Sequence, residues 1–123
     1  SLNPKDRNQL ETAARKILAL GPSLVVITLG AEGSYFQIQN GGSYVPAFRV
    51  DTVDAVGCGD AFVAGLLRGM VSSGDWQKEL DLERMTEHLR FANAVGALTS
   101  LKRGAIPAMP SLAEVQAFLE RNT

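Results

Sequence analysis

Residues 53–65 read VDAVGCGDAFVAG and set Gly57, Gly59 and Asp60 directly before an apolar run of helical character. Two glycines flanking one residue let the backbone fold tightly and bring several N–H groups close to a ligand. A helix beginning there has N–H groups without intrahelical partners, and they carry the positive end of the helix dipole. The stretch therefore has the makings of an anion site. Phe62 stands where a G-x-G-x-x-G dinucleotide fingerprint needs its last glycine, and no GK[ST] follows at P-loop spacing, so neither motif applies.

Asp60 complicates an anion site, because its carboxylate repels a phosphate. The placement makes sense if the acid takes the proton of a substrate hydroxyl as that oxygen attacks a phosphoryl group. Asp also commonly caps helices. Base and cap both remain open from the loop alone.

Outward from the loop, residues 60–71 predict a helix apolar around most of its circumference and hence buried, closed by Gly74. A short strand ending near Val53 leads into the loop. Upstream, SYFQIQ and SYVPAF flank Asn40-Gly41-Gly42, a hairpin signal, and Pro46 assigns an edge position. LVVITL, residues 24–29, is the continuous β-branched run of a central strand covered on both faces. Before it, Asn3 and Pro4 mark a helix start, with Leu10, Ala13, Ala14, Ile17 and Leu18 on one face. Downstream, a helix over residues 81–101 carries Leu82, Met85, Leu89, Ala92 and Val95 inward, and Ser111 to Glu114 form a capping box for a last helix. The order helix, strand, hairpin, strand, helix, helix, helix is α/β with an antiparallel margin. LVVITL has few parallel neighbours in this chain, so part of the sheet is expected to lie elsewhere. An opening on a helix without initiator Met predicts a piece of a longer chain.

The 123 residues are 46% hydrophobic and 20% charged, with 12 basic against 13 acidic side chains and a net charge of -1. That balance offers no basic footprint for nucleic acid and no basic amphipathic face for a membrane. The longest apolar runs fall short of the roughly 18 residues a membrane span needs. One cysteine, Cys58, excludes an intrachain disulfide and fits a reducing cytoplasm, the expected location. Small molecules are the expected partners.

VDAVGCGDAFVAGLL resembles the signature of the ribokinase-like, or PfkB, carbohydrate kinases, with Asp54, Gly57, Gly59, Asp60, Phe62 and Gly65 in register. VVITLGAEGSYF resembles the family's nucleotide loop, and FANAVGALTSLKRGAIPAMP its adenine-pocket segment. The resemblance covers nearly the whole chain. It implies that residues 1–123 form the C-terminal, ATP-binding and catalytic-base part of a doubly wound α/β sheet flanked by helices, with the N-terminal, sugar-binding part absent.

The implied reaction is ATP-dependent phosphorylation of a sugar hydroxyl. Asp60 matches the family's base, and the N–H groups of Gly57, Cys58 and Gly59 match its anion hole. Thr28, Gly30 and Gly33 match positions around the nucleotide phosphates and ribose, and Asn93 one beside adenine. Magnesium is implied as the companion of ATP. A monovalent cation such as potassium is implied beneath the loop, with Asp54, Val56, Thr99, Lys102, Gly104 and Ala108 as ligands, largely through backbone oxygens. Ala55 departs from the usual Thr and Cys58 from the usual Ala, which bears on the cation more than on Asp60. The combination YVPAFRVDTVDAVGCGDAFVAGLL favours the fructokinase branch. A ribose or nucleoside kinase and a non-catalytic nucleotide-binding relative are the alternatives. The family includes dimers and monomers, which leaves a homodimer of the intact protein open. Without the sugar-binding part, the chain alone is expected to turn over little.

Other residues admit two readings each. Cys58 is either a thiol activated at a helix N-terminus or a small residue filling an alanine-sized site, and the second is expected. His88, the single histidine, is expected at the surface beside Glu87 and Arg90, and Trp76 is expected to pack its loop. Asn93 offers an interhelical bond besides the adenine contact, and Asp54 offers a turn besides the cation.

Overall fold

The computed structural model describes residues 6–101 and 110–122. Helix α1 (Arg7–Leu18) leads to strands β1 (Val25–Thr28), β2 (Gly33–Ile38) and β3 (Gly41–Pro46), then to helices α2 (Cys58–Val71), α3 (Leu82–Ser100) and α4 (Leu112–Arg121). The strands form an antiparallel sheet in the order β1-β2-β3, with Thr28 opposite Ser34 and Tyr35 opposite Tyr44. Helix α1 covers one face through Leu10 and Ala14, which meet Val25 and Tyr35. On the other face Phe36, Ile38 and Val45 meet Phe62 and Leu66 of α2 and Met85 and Leu89 of α3. Helix α4 adds an outer layer, with Val115 and Phe118 against Ala94 and Val95.

The hairpin, the edge position of Pro46, the α3 stripe from Met85 to Val95 and the α4 capping box are present as the sequence predicts. Leu82 is the exception on α3, at 44% exposed. Helix α1 starts at Arg7, because Asp6 Oδ1 accepts the N–H bonds of Asn8 and Gln9 at 3.0 and 3.2 Å. The expected start at Asn3 and Pro4 lies outside the described residues.

The central strand is β2, in place of residues 24–29. All six β2 residues are buried, whereas β1 pairs on one side only and its exposure rises toward Thr28. The parallel pairing of a doubly wound sheet does not occur between the described strands. No strand precedes the glycine loop either. Residues 47–57 are irregular, and their end is held by Val53 N and Asp54 N, which donate to Ser100 O at 2.7 and 3.0 Å.

Helix α2 begins at Cys58, two residues before the expected start, and only one side of it is buried. Gly65 allows close approach to α3, since a Cβ there would lie 3.0 Å from Val95 Cγ2. The opposite side carries Val63, Leu67 and Val71 at 48%, 56% and 63% exposed, against the expectation of burial all round. Nor is His88 a surface residue: its Nε2 donates to Glu79 Oε1 at 2.7 Å, and its ring lies over Gly69. Glu79 is buried, and its carboxyl is held below the usual range chiefly by the His88 bond. Trp76 remains 46% exposed, less packed than expected.

Candidate active site

The end of β1 turns through Gly30, at φ 58°, into Gly33, at φ 114°. A Cβ on Gly33 would fall 2.3 Å from Val45 O and 2.7 Å from Ala47 N, so glycine alone lets β3 close against this turn. Tyr44 locks the same corner by donating its hydroxyl to Glu32 O. Across from it stand the first turn of α2 and the inner face of α3. Between these elements lies an open cleft of about 920 Å³. Thr28, Gly30, Gly33, Cys58, Gly59 and Asn93, scattered over 66 positions of sequence, all line it.

Gly57 takes a left-handed conformation, φ 80°, and starts α2 with no side-chain cap. Its carbonyl accepts from Ala61 N at 2.9 Å. A Cβ on Gly59 would meet nothing within 4 Å, so the space before the helix is open. The Cys58 amide is directed elsewhere than the anion hole expected of it, donating to Ala55 O at 3.3 Å. Burial first, and then the Asp54 carboxylate, push the Cys58 thiol up, which opposes an activated thiolate and agrees with the space-filling reading. Asp60 stands exposed in the first turn and makes no helix cap. Neither it nor Gly57 lines the cleft.

Asp54 Oδ1 accepts from Val56 N at 2.9 Å, the turn-forming bond that Asp favours. The two amide bonds to Ser100 O bring this turn against the end of α3, next to the buried Thr99, whose hydroxyl donates to Val95 O at 2.8 Å. Lys102, Gly104 and Ala108 lie outside the described residues. Among the described residues no three His, Cys, Asp or Glu side chains cluster so as to hold a metal.

Asn93 is buried among apolar neighbours and bridges helix to sheet, not helix to helix. Its Nδ2 donates to Val45 O and Pro46 O, both at 3.2 Å, and its Oδ1 accepts from Ser34 Oγ at 3.3 Å. The cleft also takes in Phe48, Arg49, Gly96 and Ala97, which sequence reasoning missed. Phe48 and Arg49 belong to the irregular segment and follow no periodicity. Phe48 is fixed edge-on to Phe118, 5.0 Å between ring centroids, with the Arg90 guanidinium 4.8 Å from its own.

Comparison with known proteins agrees with this arrangement. Residues 1–112 match the model of the pfkB family carbohydrate kinases. The chain is 41% identical to fructokinase-1 of Zea mays over 98 residues, which is 80% of this chain and 30% of that one. Its fold is similar to the crystal structure of fructokinase with bound ATP from Xylella fastidiosa, with a TM-score of 0.83 and 34% identity over 94% of this chain and 38% of the other. It is also similar to Vibrio cholerae O395 fructokinase in its fructose-, ADP- and calcium-bound form, with a TM-score of 0.78 and 34% identity over 89% of this chain and 35% of the other. The chain thus spans about a third of the length of these relatives. With the first turn of α2, the turn at residues 30–33 and the inner face of α3 meeting in one cleft and a family match over residues 1–112, the chain belongs to the pfkB family of carbohydrate kinases.

Proposed function

We propose that this chain supplies the ATP-binding wall and the catalytic base of a kinase that phosphorylates a sugar hydroxyl, with fructose as the acceptor. The observation that carries the reading is the convergence of Thr28, Gly30, Gly33, Gly59 and Asn93 on one cleft headed by an uncapped helix N-terminus. The relatives' bound ATP, ADP and fructose support the choice of substrates.

In this reading the nucleotide lies between the turn at residues 30–33 and α3, with its phosphates toward α2. The helix end presents about half a positive charge there, and the Gly57 and Gly59 amides add direct donors. Asp60, on the same turn but outside the cleft, takes the proton from the acceptor hydroxyl as that oxygen attacks the γ-phosphorus and ADP leaves. An exposed carboxylate beside the cleft suits that division, because it meets the acceptor without crowding the phosphates. Magnesium comes with the nucleotide, since it binds through phosphates and water and needs no protein carboxylate cage. Backbone oxygens of the turn at Asp54 and Val56, held against Thr99, fit a hard monovalent cation, which would place positive charge beneath the loop. Lys102, Gly104 and Ala108 would complete its ligand set. The acceptor site and the cover for Val63, Leu67 and Val71 belong to the remaining two-thirds of a kinase domain.

The test is a chimera in which this chain replaces the matched segment of the maize fructokinase, assayed for ADP release with ATP, magnesium and a panel of fructose, ribose and adenosine. Fructose-dependent release that falls about 10²- to 10⁴-fold in Asp60→Asn is the expected result. A chimera that binds ATP yet releases no ADP with any acceptor would favour a non-catalytic role. Undiminished release by Asp60→Asn would remove Asp60 as the base.

A further inference from the structure

The side chains that line the cleft differ in which of them are committed to the protein itself. Asn93 spends both amide donors on Val45 O and Pro46 O at 3.2 Å, and its oxygen takes the Ser34 hydroxyl at 3.3 Å. Ser100 Oγ donates to Ala97 O at 2.6 Å, and the Tyr44 hydroxyl donates to Glu32 O. Among the described residues lining the cleft, Arg49 is the single cation and Glu32 the single anion. No ion pair between described residues involves either side chain, so that carboxylate does not neutralise the guanidinium. The backbone that carries Arg49 is nonetheless fixed. Phe48 and Val50 pack into the apolar cluster around Val115 and Phe118, with Phe48 edge-on to Phe118 at 5.0 Å, while Arg49 between them is exposed. Further along, the Val53 and Asp54 amides tie the segment to Ser100 O. Arg90, the guanidinium on the other side of Phe48, is already engaged, lying over that ring and donating to Asn122 O at 2.8 Å.

A guanidinium presents paired N–H donors that match the oxygens of a phosphate, and such charge-assisted bonds are among the strong ones. With its backbone already held, Arg49 has only its own side chain to order when it meets a ligand, which keeps the cost of binding low. Three phosphates bring several negative charges into the cleft, whereas the N-terminus of α2 offers about half a positive charge. We propose that Arg49 binds the phosphate chain of the nucleotide, as the cationic partner of the α2 amides across the cleft, and so favours a nucleoside triphosphate over a monophosphate. This rests on the nucleotide reading proposed above. Stacking on the base is the other use of an exposed guanidinium. Its strength would not depend on the number of phosphates, and that difference separates the two uses.

The experiment is titration calorimetry of the chain with ATP and with AMP, each with magnesium, on the parent, Arg49→Ala and Lys16→Ala, with circular dichroism to show each variant folded. Lys16→Ala is the control, since it removes the same charge from an exposed position on α1 that does not line the cleft. Arg49→Ala is expected to weaken ATP by about tenfold or more, as the loss of a hydrogen bond to a charged group does, and to change AMP far less. Lys16→Ala is expected to leave both unchanged. Equal losses for ATP and AMP in Arg49→Ala would overturn the phosphate contact and assign the guanidinium to the base or ribose. Unchanged ATP affinity in the folded variant would overturn it outright, and an equal loss in Lys16→Ala would reduce the effect to net charge and overturn it as well. If Arg49→Ala does not fold, Arg49→Gln reads the same outcomes. A parent chain that binds neither nucleotide overturns the nucleotide reading itself, whatever the variants do.

Discussion

Gly33→Ala strikes a position where the wall of the cleft and the register of the sheet depend on a missing side chain. At φ 114° an L-residue is strained by about 1–3 kcal/mol. The added Cβ also falls 2.3 Å from Val45 O, 2.7 Å from Ala47 N and 2.9 Å from Pro46 C, all backbone atoms that no rotamer change can move. Relieving such overlap by shifting a strand costs about 1–3 kcal/mol more. The sum, about 2–6 kcal/mol, is a large part of the roughly 5–15 kcal/mol that holds a domain folded. Because Gly33 pairs with Pro46, the shift opens the β2–β3 ladder at the cleft end and strains the Asn93 bond to Pro46 O. Urea unfolding followed by circular dichroism should show a midpoint lower by about 1 M or more, given a typical slope of about 1–3 kcal/mol per M. Gly30→Ala is the control: its φ of 58° is also left-handed, but its Cβ meets nothing within 4 Å, so only the conformational cost of about 1–2 kcal/mol applies. A Gly33→Ala midpoint no lower than that of Gly30→Ala would refute the overlap argument.

Gly59→Ala should separate stability from binding. Its Cβ points into open space within a helix, so the fold gains about 0.5–1 kcal/mol and melts about 2 °C or more higher, while ATP affinity drops at least about tenfold because the methyl fills the approach to the α2 amides. Unchanged affinity by calorimetry would move the phosphates away from this helix end. Glu79→Gln should be less stable than the parent at neutral pH. Because the folded Glu79 carboxyl is held below its ordinary value, its stabilisation is complete above the usual carboxylate range and is lost as pH falls through the folded pKa. The gap between the two proteins in urea midpoint should therefore narrow as pH falls below the ordinary carboxylate range and through the lowered pKa of folded Glu79, where its carboxyl becomes neutral like the amide. A gap constant from pH 7 to pH 3 would show that the His88 bond contributes nothing through charge.

The features that sequence made legible are those written in local chemistry. The capping box at Ser111 to Glu114, the Asn40-Gly41-Gly42 turn and the glycines of the loop each need only their neighbours to act. The central strand was hidden for the opposite reason. β2 contains Ser34 and Gln37, which lower its apolar count, yet both are buried because Ser34 binds Asn93 while Gln37 accepts the Tyr35 hydroxyl at 2.8 Å and donates to Ile38 O at 3.0 Å. Satisfied polar groups go inside, and no hydropathy pattern marks which ones will be satisfied. His88 misled in the same way, since its partner Glu79 lies nine residues upstream in a turn without periodicity. The cleft positions Thr28, Gly30, Gly33, Gly59 and Asn93 were readable as motif, but Phe48 and Arg49 enter the cleft through an irregular segment that only tertiary contacts define.

Helix α2 ties the exposed surface to the proposed chemistry. At 100° per residue, Asp60, Val63, Leu67 and Val71 fall within about 60° of one line along the helix. Asp60 thus heads the same face that carries the three exposed aliphatic side chains, while the opposite face packs on α3 through Gly65. Burying an aliphatic side chain completely is worth about 1.5–3 kcal/mol, and these three are half to two-thirds exposed, so covering them yields several kcal/mol. Any segment that collects this energy must lie along α2 and end beside Asp60. On the function proposed here, that segment is the remainder of the kinase domain and carries the acceptor sugar, so one docking event both completes the core and sets a hydroxyl against its base. Orientation of this kind is where enzymes gain much of their rate. On the same proposal the nucleotide lies in the cleft, which Asp60 does not line, so ATP binding by this chain and sugar phosphorylation are expected to be separable quantities.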